Sequence, residues 1–395
     1  MVQLAEPLIA CARDQVSQAN KRWLPVAMDW CNLHLKHHDS KADRVELANA
    51  EDVGYEMLTA LALSDRDGSA IAPLCLELRA ADGVRSTRTG RLLPPVSPLD
   101  ALAPVMAHIQ QLGLGPRPVF IIDREADSVA HYRQWDARGY LFVVRADNDR
   151  LVLHAGQERR LDQVTDWLKQ RKKFRPARWV RFKGKLVRQF VAETTVVLHR
   201  PARSHRVDPK TGLARHYNIA GPSLALRLVI SEIRNGKGKV LARWLLLTNL
   251  PPQVKPATVA LWYYWRWEIE SYHKLLKGTG QQVESWQQET AAAMSRRLLV
   301  AAMAAVMVWR LARNPSPQAA RMREALVRLS GRQMKRGKHA CPFTEPALLA
   351  GLGILIPMLD LLMRYEVREL RALARATLPP TILPFLTDVP PRESG

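Results

Sequence analysis

Two short apolar runs, each closed by an aspartate, constrain this chain more than any other feature. Val119-Phe120-Ile121-Ile122 ends at Asp123, and Val26-Ala27-Met28 ends at Asp29. A helical pattern from about Glu125 to Ala137 follows the first run, and Tyr140-Leu141-Phe142-Val143-Val144 then reads as another buried strand. Alternation of this kind predicts an α/β layer. After Asp29, the alternating Leu33-His34-Leu35 predicts a short central strand followed by a return strand. Both aspartates then stand at the ends of core strands, which is where open α/β sheets put ligands.

The rest of the chain changes character twice. From 148 to 250 the period moves towards two, with strands predicted at Phe190 to Leu198, Leu224 to Ile230 and Val240 to Thr248. This stretch reads as a β-rich insertion, more than as a continuation of the α/β layer of residues 1–147. Helical patterns begin after Pro256 and run to about Leu378, and residues 379–395 are expected to fray. The four cysteines, Cys11, Cys31, Cys75 and Cys341, have no zinc-site or redox-dithiol spacing, so a reducing cytoplasm is the simplest setting.

Charge narrows the function. The chain has 59 Lys and Arg against 37 Asp and Glu, a net +22 that argues for a polyanionic partner and against most neutral-metabolite enzymes. Ten of the cations fall between Lys169 and Arg188 without one acidic residue: Lys169, Arg171, Lys172, Lys173, Arg175, Arg178, Arg181, Lys183, Lys185 and Arg188. Phe174, Trp179 and Phe182 interleave with them, the pattern of a nucleic-acid track, although a solvated face has the same composition. Arg328 to His339 forms a second basic connector. A membrane partner is not expected, since the longest uncharged apolar stretches, Leu298 to Trp309 and Pro346 to Leu359, have 12 and 14 residues. Both fall short of the roughly 18 to 20 needed to span a bilayer. Glu6, Arg13 and Asp14 interrupt any signal-peptide core.

Residues 261–277 predict one amphipathic helix. At about 100° per residue, Tyr263, Arg266, Glu270, Lys274 and Lys277 share one face, while Trp265, Ile269, Tyr272 and Leu276 share the other. One face can anchor in a core while the other holds a carboxylate among phosphate-binding cations. The alternative is a surface helix in which Glu270 and Lys274 form an ordinary i,i+4 pair worth about 0.2–0.5 kcal/mol. Asp29, Asp123 and Glu270 can together form an all-carboxylate divalent-metal site of the kind used in phosphoryl transfer; isolated strand-end aspartates, however, are often caps.

The spacing Tyr263-x2-Arg266-x3-Glu270-x6-Lys277 resembles the Y-R-E-K signature of IS4-type bacterial transposases. Asp123-Arg124-Glu125-Ala126-Asp127 and Asp29-Trp30-Cys31-Asn32-Leu33-His34-Leu35 are similar to the aspartate segments of the Tn5-like branch. Lys239 to Thr248 resembles the strand before its signature helix, with Trp244 at the position of a base-stacking tryptophan. The resemblance implies an RNase H-like α/β core interrupted by the β-rich insertion 148–250, completed by 251–290 and followed by a mostly helical region, 291–378.

It also implies a DDE-type enzyme that cleaves transposon ends and transfers strands into target DNA, using Mg2+, with Mn2+ as a substitute, held by Asp29, Asp123 and Glu270. Its partners would be double-stranded transposon-end DNA and target DNA, and its assembly a synaptic homodimer near the nucleoid. Tyr263, Arg266, Lys274 and Lys277 would contact phosphates, and Trp244 would receive a flipped base or remain a core tryptophan. Lys172, Lys173, Arg175 and Arg178 would extend the DNA path. Arg124, Glu125 and Asp127 would support the site from behind or cap the helix that follows, without being direct ligands. Trp30 departs from the small hydroxyl residue usual after the first aspartate. Only 28 residues precede Asp29, so the usual N-terminal end-recognition domain is not expected. A nuclease without strand transfer and a truncated DNA-binding inhibitor are the competing functions.

Overall fold

The computed structural model describes residues 1–47, 52–95, 97–207, 214–278, 280–332, 343–377 and 379. Most of the basic connector 328–339, Cys341 and all but one residue of the tail 379–395 lie outside the described residues. The chain begins with α1 (Val2–Ala19), β1 (Trp23–His34), β2 (Val45–Glu46), β3 (Val53–Leu63), β4 (Ala70–Ala80), β5 (Gly83–Ser86) and β6 (Gly90–Leu92). It continues through α2 (Leu102–Gln111), β7 (Arg117–Ile122), α3 (Val129–Ala137), β8 (Leu141–Arg145), β9 (Leu151–His154), β10 (Gln157–Arg160) and α4 (Leu161–Gln170). Six further strands follow: β11 (Arg175–Phe182), β12 (Lys185–Leu198), β13 (Ala202–Val207), β14 (Ala214–Ile219), β15 (Leu224–Arg234) and β16 (Val240–Thr248). The last elements are helices, α5 (Pro256–Trp265), α6 (Trp267–Lys277), α7 (Ala291–Arg313), α8 (Pro317–Leu329), α9 (Glu345–Arg364) and α10 (Val367–Thr377).

Among the described residues, fourteen strands form one open sheet whose centre has the order β4-β3-β1-β7-β8. β1, β3 and β4 pair antiparallel, while β7 runs parallel to both β1 and β8. An antiparallel meander whose first strand is joined by two parallel ones is the RNase H-like arrangement, so the fold class is the α/β one that the motifs imply. Val119, Phe120, Ile121 and Ile122 of β7 are fully buried, as a central strand covered on both faces requires.

The sheet differs from the sequence reading in two places. Asp29 lies inside β1 rather than at its end: no turn residue interrupts Trp30-Cys31-Asn32, and pairing with β3 continues to His34 opposite Gly54. The alternation through Leu33 is therefore the same strand carried on, without a return strand. The strands of 148–250 extend the core sheet instead of standing apart from it, because β16 pairs antiparallel with β8 and β15, and β12 pairs with β15. β11 and β12 form a hairpin with a two-residue turn in which Lys183 and Gly184 both have positive φ, 48° and 77°. Such a turn matches the right-handed twist of its strands.

α5 starts with Pro256 in its first turn, where a missing N–H costs nothing. Val259, Ala260, Trp262 and Tyr263 pack on Val119, Ile121, Val143, Val229 and Leu246 of the sheet. The expected single helix over 261–277 is two segments that meet at Arg266, whose N–H is shared between the carbonyls of Trp262 and Tyr263.

The chain divides into compact units of residues 1–306 and 307–395, the second a distinct helical region. Within it α8 and α9 approach closely, with Gly351 against the Leu326 carbonyl. Beyond Gly351, α9 exposes Ile354, Ile356, Leu359 and Met363. By length and composition alone, Ala291–Arg313 and Glu345–Arg364 are long and apolar enough to cross a membrane, a test that core helices of soluble proteins also pass. They exceed the uncharged stretches seen in sequence because each helix extends past them at both ends.

The loop between β3 and β4 fixes the end of α5. Gly68 has φ +76°, and a Cβ there would lie 2.2 Å from Cγ of Trp265. Gly68→Ala is expected to cost about 2–4 kcal/mol, from the left-handed backbone and the displaced indole together. Urea denaturation measures this; an unchanged midpoint would mean that Trp265 does not lock the loop.

Candidate functional site

The site is assembled by strand register. Parallel pairing of β1 with β7 ends at Met28 opposite Ile122, so the next residues on the two strands, Asp29 and Asp123, are neighbours. Their odd-numbered positions continue the face that carries Trp23, Val119 and Ile121, which is the face covered by α5. α6 packs on β1 and brings Glu270 to the same place. The Asp123 side chain accepts from the Glu125 N–H at 2.9 Å and so also caps the short turn that follows β7.

Arg266 stands between the carboxylates. Its guanidinium donates to Asp29 Oδ2 at 2.9 Å and to Glu270 Oε1 at 3.2 Å, and the residue is only 9% exposed. Burial works against its charge, but Tyr263, Asp29, Asp123 and Glu270 outweigh burial and hold it protonated. For Asp29, burial pushes the carboxyl up from its ordinary 3.8 to about 6. Arg266 opposes that shift, while the negative charges of Asp123 and Glu270 add to it. The three acidic side chains thus share one electrostatic environment. No group of three or more His, Cys, Asp or Glu side chains among the described residues is arranged to hold a metal ion.

The helix face predicted to meet phosphate is unevenly exposed. Tyr263 and Arg266 are buried, Glu270 and Lys277 are partly exposed, and Lys274 is exposed. The opposite face is as expected for Ile269, Tyr272 and Leu276, which are buried, while Trp265 is only partly so. Lys277 donates to the Asn32 carbonyl at 2.7 Å and pairs with Glu284 at 3.1 Å, which ties the end of α6 to β1. The Lys274 ammonium lies 5.0 Å from the centroid of the exposed Trp267 ring. Burial, reinforced by Lys277 and Arg266, lowers His273 to about 4, and it faces Thr59 at 3.3 Å as a neutral ring.

Trp244 is partly buried against Tyr263, with ring centroids 5.7 Å apart and planes tilted by 55°. Arg145, the last residue of β8, hydrogen-bonds the Tyr263 phenol, whose pKa burial raises. Sequence reasoning missed Arg145; the signal was its place directly after the buried run Tyr140 to Val144. Asp127 accepts from Arg150, from the Tyr132 hydroxyl and from the Asp147 N–H, none of them a residue of the carboxylate cluster. A cleft of about 1140 Å3 beside α3 is lined by Asp127, His131 and Arg150, but Asp29, Asp123 and Glu270 lie outside it.

The expected basic track divides by role. Lys172 has φ +51° and closes α4 with the bonds Lys172 N–H to Lys169 O and Lys173 N–H to Leu168 O, a helix-ending turn that usually contains glycine. Lys172, Lys173 and Arg175 are exposed. Arg178 instead donates to the Ala257 carbonyl of α5 at 2.7 Å and is half-buried, which lowers its pKa.

Because its pKa is raised in the fold, Asp29 withdraws stability at high pH. Below 3.8 it is protonated in folded and unfolded chains alike, and as pH rises through about 6 the folded chain must ionise a buried carboxyl. In buffer free of divalent cations, Asp29→Asn gives up a bond to Arg266 at every pH, but set against the parent it is expected to have a relative advantage at about pH 7 over about pH 4. Denaturation curves at the two pH values check this, and an advantage independent of pH would overturn it.

Comparison with curated proteins gives no match. Comparison with protein families matches residues 96–307, more than half of the chain, to the transposase DDE domain. The matched segment contains Asp123, Trp244, α5 and α6, while Asp29 precedes it. With the RNase H-like strand order and the Tyr263-Arg266-Glu270-Lys277 spacing, this match means that the chain belongs to the IS4-type family of transposases with a DDE domain.

Proposed function

We propose that the protein is a metal-dependent DNA transposase whose catalytic carboxylates are Asp29, Asp123 and Glu270. The observation that carries this reading is the buried guanidinium of Arg266, which bonds Asp29 of β1 and Glu270 of α6 and feels the charge of Asp123 after β7. The chemistry of these three acidic residues suits the proposed ion: carboxylate oxygens suit Mg2+ or Mn2+, and the charges of Asp123 and Glu270, which add to the burial-driven upward shift of Asp29, are ones that a divalent cation offsets. Asp29, Asp123 and Glu270 would hold the ion, which when bound supplies electrostatic stabilisation of the attacking and leaving phosphodiester oxygens.

The protein's own residues supply the remainder. Arg266, pinned by two carboxylates, is preorganised to meet a phosphate with one side of its fork. Tyr263 and Arg145 line the same face, Lys274 offers an exposed cation, and Lys277 keeps α6 seated on β1. Trp244 offers an aromatic edge beside Tyr263, where a base taken out of the stack would find a partner. The DNA partners are double-stranded transposon ends and target DNA. The working form is a homodimer, for which the apolar side chains of α9 beyond Gly351 are one source of contact, and its setting is the cytoplasm and nucleoid.

Cleavage of the DNA ends that flank the coding region, in Mg2+ or Mn2+, tests the chemistry. Glu270→Gln is expected to abolish cleavage, a loss of at least about a thousandfold, while leaving the circular dichroism spectrum unchanged. Equal cleavage by the variant would remove Glu270 from the mechanism. Joined donor and target DNA would separate transposition from plain hydrolysis. Trp244→Phe is expected to retain more activity than Trp244→Ala if stacking is its role; equal loss in both would assign it to the core.

A further inference from the structure

Strand alternation splits the basic run of residues 169–188 between the two faces of the sheet. Val180 and Val187 point inward, packed with Ile233 and beside Trp244 and Tyr264. Arg178 is bonded to α5 on that side. The alternate positions, Trp179 opposite Arg188 and Arg181 opposite Leu186, therefore point away from α5 and from the carboxylates. They are open to solvent: Trp179 is 59% and Leu186 68% exposed, and Arg181 and Arg188 are exposed as well, with Lys183 exposed in the turn beside them. The Arg188 guanidinium sits 5.5 Å from the Trp179 ring centroid. β12 pairs with β15 only from Arg188 onward, so the tip of the hairpin, residues 181–187, extends beyond its neighbour as a two-stranded ribbon.

We infer that the outward face of the β11–β12 ribbon is a docking surface for a second double-stranded DNA segment, separate from the one that reaches Asp29, Asp123 and Glu270. A duplex laid against α5 and α6 leaves this face uncovered. Charge complementarity selects the occupant, because Arg181 and Arg188 lie on this face, Lys183 is exposed in the turn beside it, and no carboxylate lies between residues 181 and 188. The shape agrees: a two-stranded β-ribbon is one of the elements that a DNA major groove admits, and lysines at its tip and arginines at its base can reach the phosphates on either side. The inference rests on the fold and the charge pattern and stands apart from the proposed chemistry.

The experiment titrates the full chain with a labelled duplex one helical turn long, of arbitrary sequence, at low salt and without divalent cations. The parent protein is expected to bind two duplexes per chain, and Arg181→Gln with Arg188→Gln, the two cations on the outward face, to bind one. Affinity at the lost site should fall about tenfold or more, and the salt dependence of total binding should drop by about two counterions. Both substitutions lie on exposed positions, and circular dichroism checks that the variant is folded. An equal number of duplexes on parent and variant, or a preference for the single strand over the duplex, would overturn the inference, whereas one duplex on the parent and none on the variant would support the ribbon and count against the site at the carboxylates. None of these readouts requires cleavage, so a failure of the transposase reading leaves the result interpretable.

Discussion

A buried guanidinium has to be neutralised where it lies, and Arg266 is neutralised by residues from opposite ends of the chain. Asp29 is 237 positions away and Glu270 is one helical turn away. Removing one partner from such a pair commonly costs about 3–5 kcal/mol, since the remaining charge has no water to retreat to. The arrangement therefore ties α6 over β1, which backbone pairing in turn holds beside β7. A straight helix would carry the backbone past Arg266 without the shared hydrogen bond that marks the junction. The same charge restrains the mutual repulsion of the acidic side chains and opposes the upward shift that burial, above all, imposes on Asp29.

Much of this was legible in the residues. The run Val119 to Ile122 and its closing Asp123, the strand Val240 to Thr248, the start of α5 at Pro256 and the buried stripe of Ile269, Tyr272 and Leu276 follow from period and turn chemistry. Strand register was not legible. Nothing local to Trp30-Cys31-Asn32 says that β1 runs on to His34, because that extension is stabilised by β3, which comes later in the chain. Nor does alternation within β16 reveal that its partner is β8. The helix wheel for 261–277 grouped the right side chains but treated them as equally exposed; burial of Tyr263 and Arg266 comes from the sheet beneath them, and a wheel carries no information about what lies underneath.

The basic run shows the same limit from the other direction. Composition counted ten cations as one surface, whereas a strand divides neighbours between two faces and a helix end consumes others. Arg178 is spent on a carbonyl of α5 and Lys169 pairs with Asp166 and with the buried Glu232, while Lys172 takes a left-handed backbone and keeps its side chain exposed. What remains outward is a smaller and better-defined set than the count promised.

The parallel pairing of β1 with β7 has a consequence for how the protein comes into being. β1 is made early, yet it lacks its parallel neighbour until β7 has been synthesised, and its carboxylate lacks Arg266 until α5 has emerged. Contacts of such sequence separation carry a large loop-closure cost and form late. A growing chain thus carries an apolar strand with an incomplete sheet around it, a state that invites aggregation or chaperone capture. The acidic cluster, in turn, exists only after the sheet has closed, so a partly made chain has no assembled centre with which to touch nucleic acid.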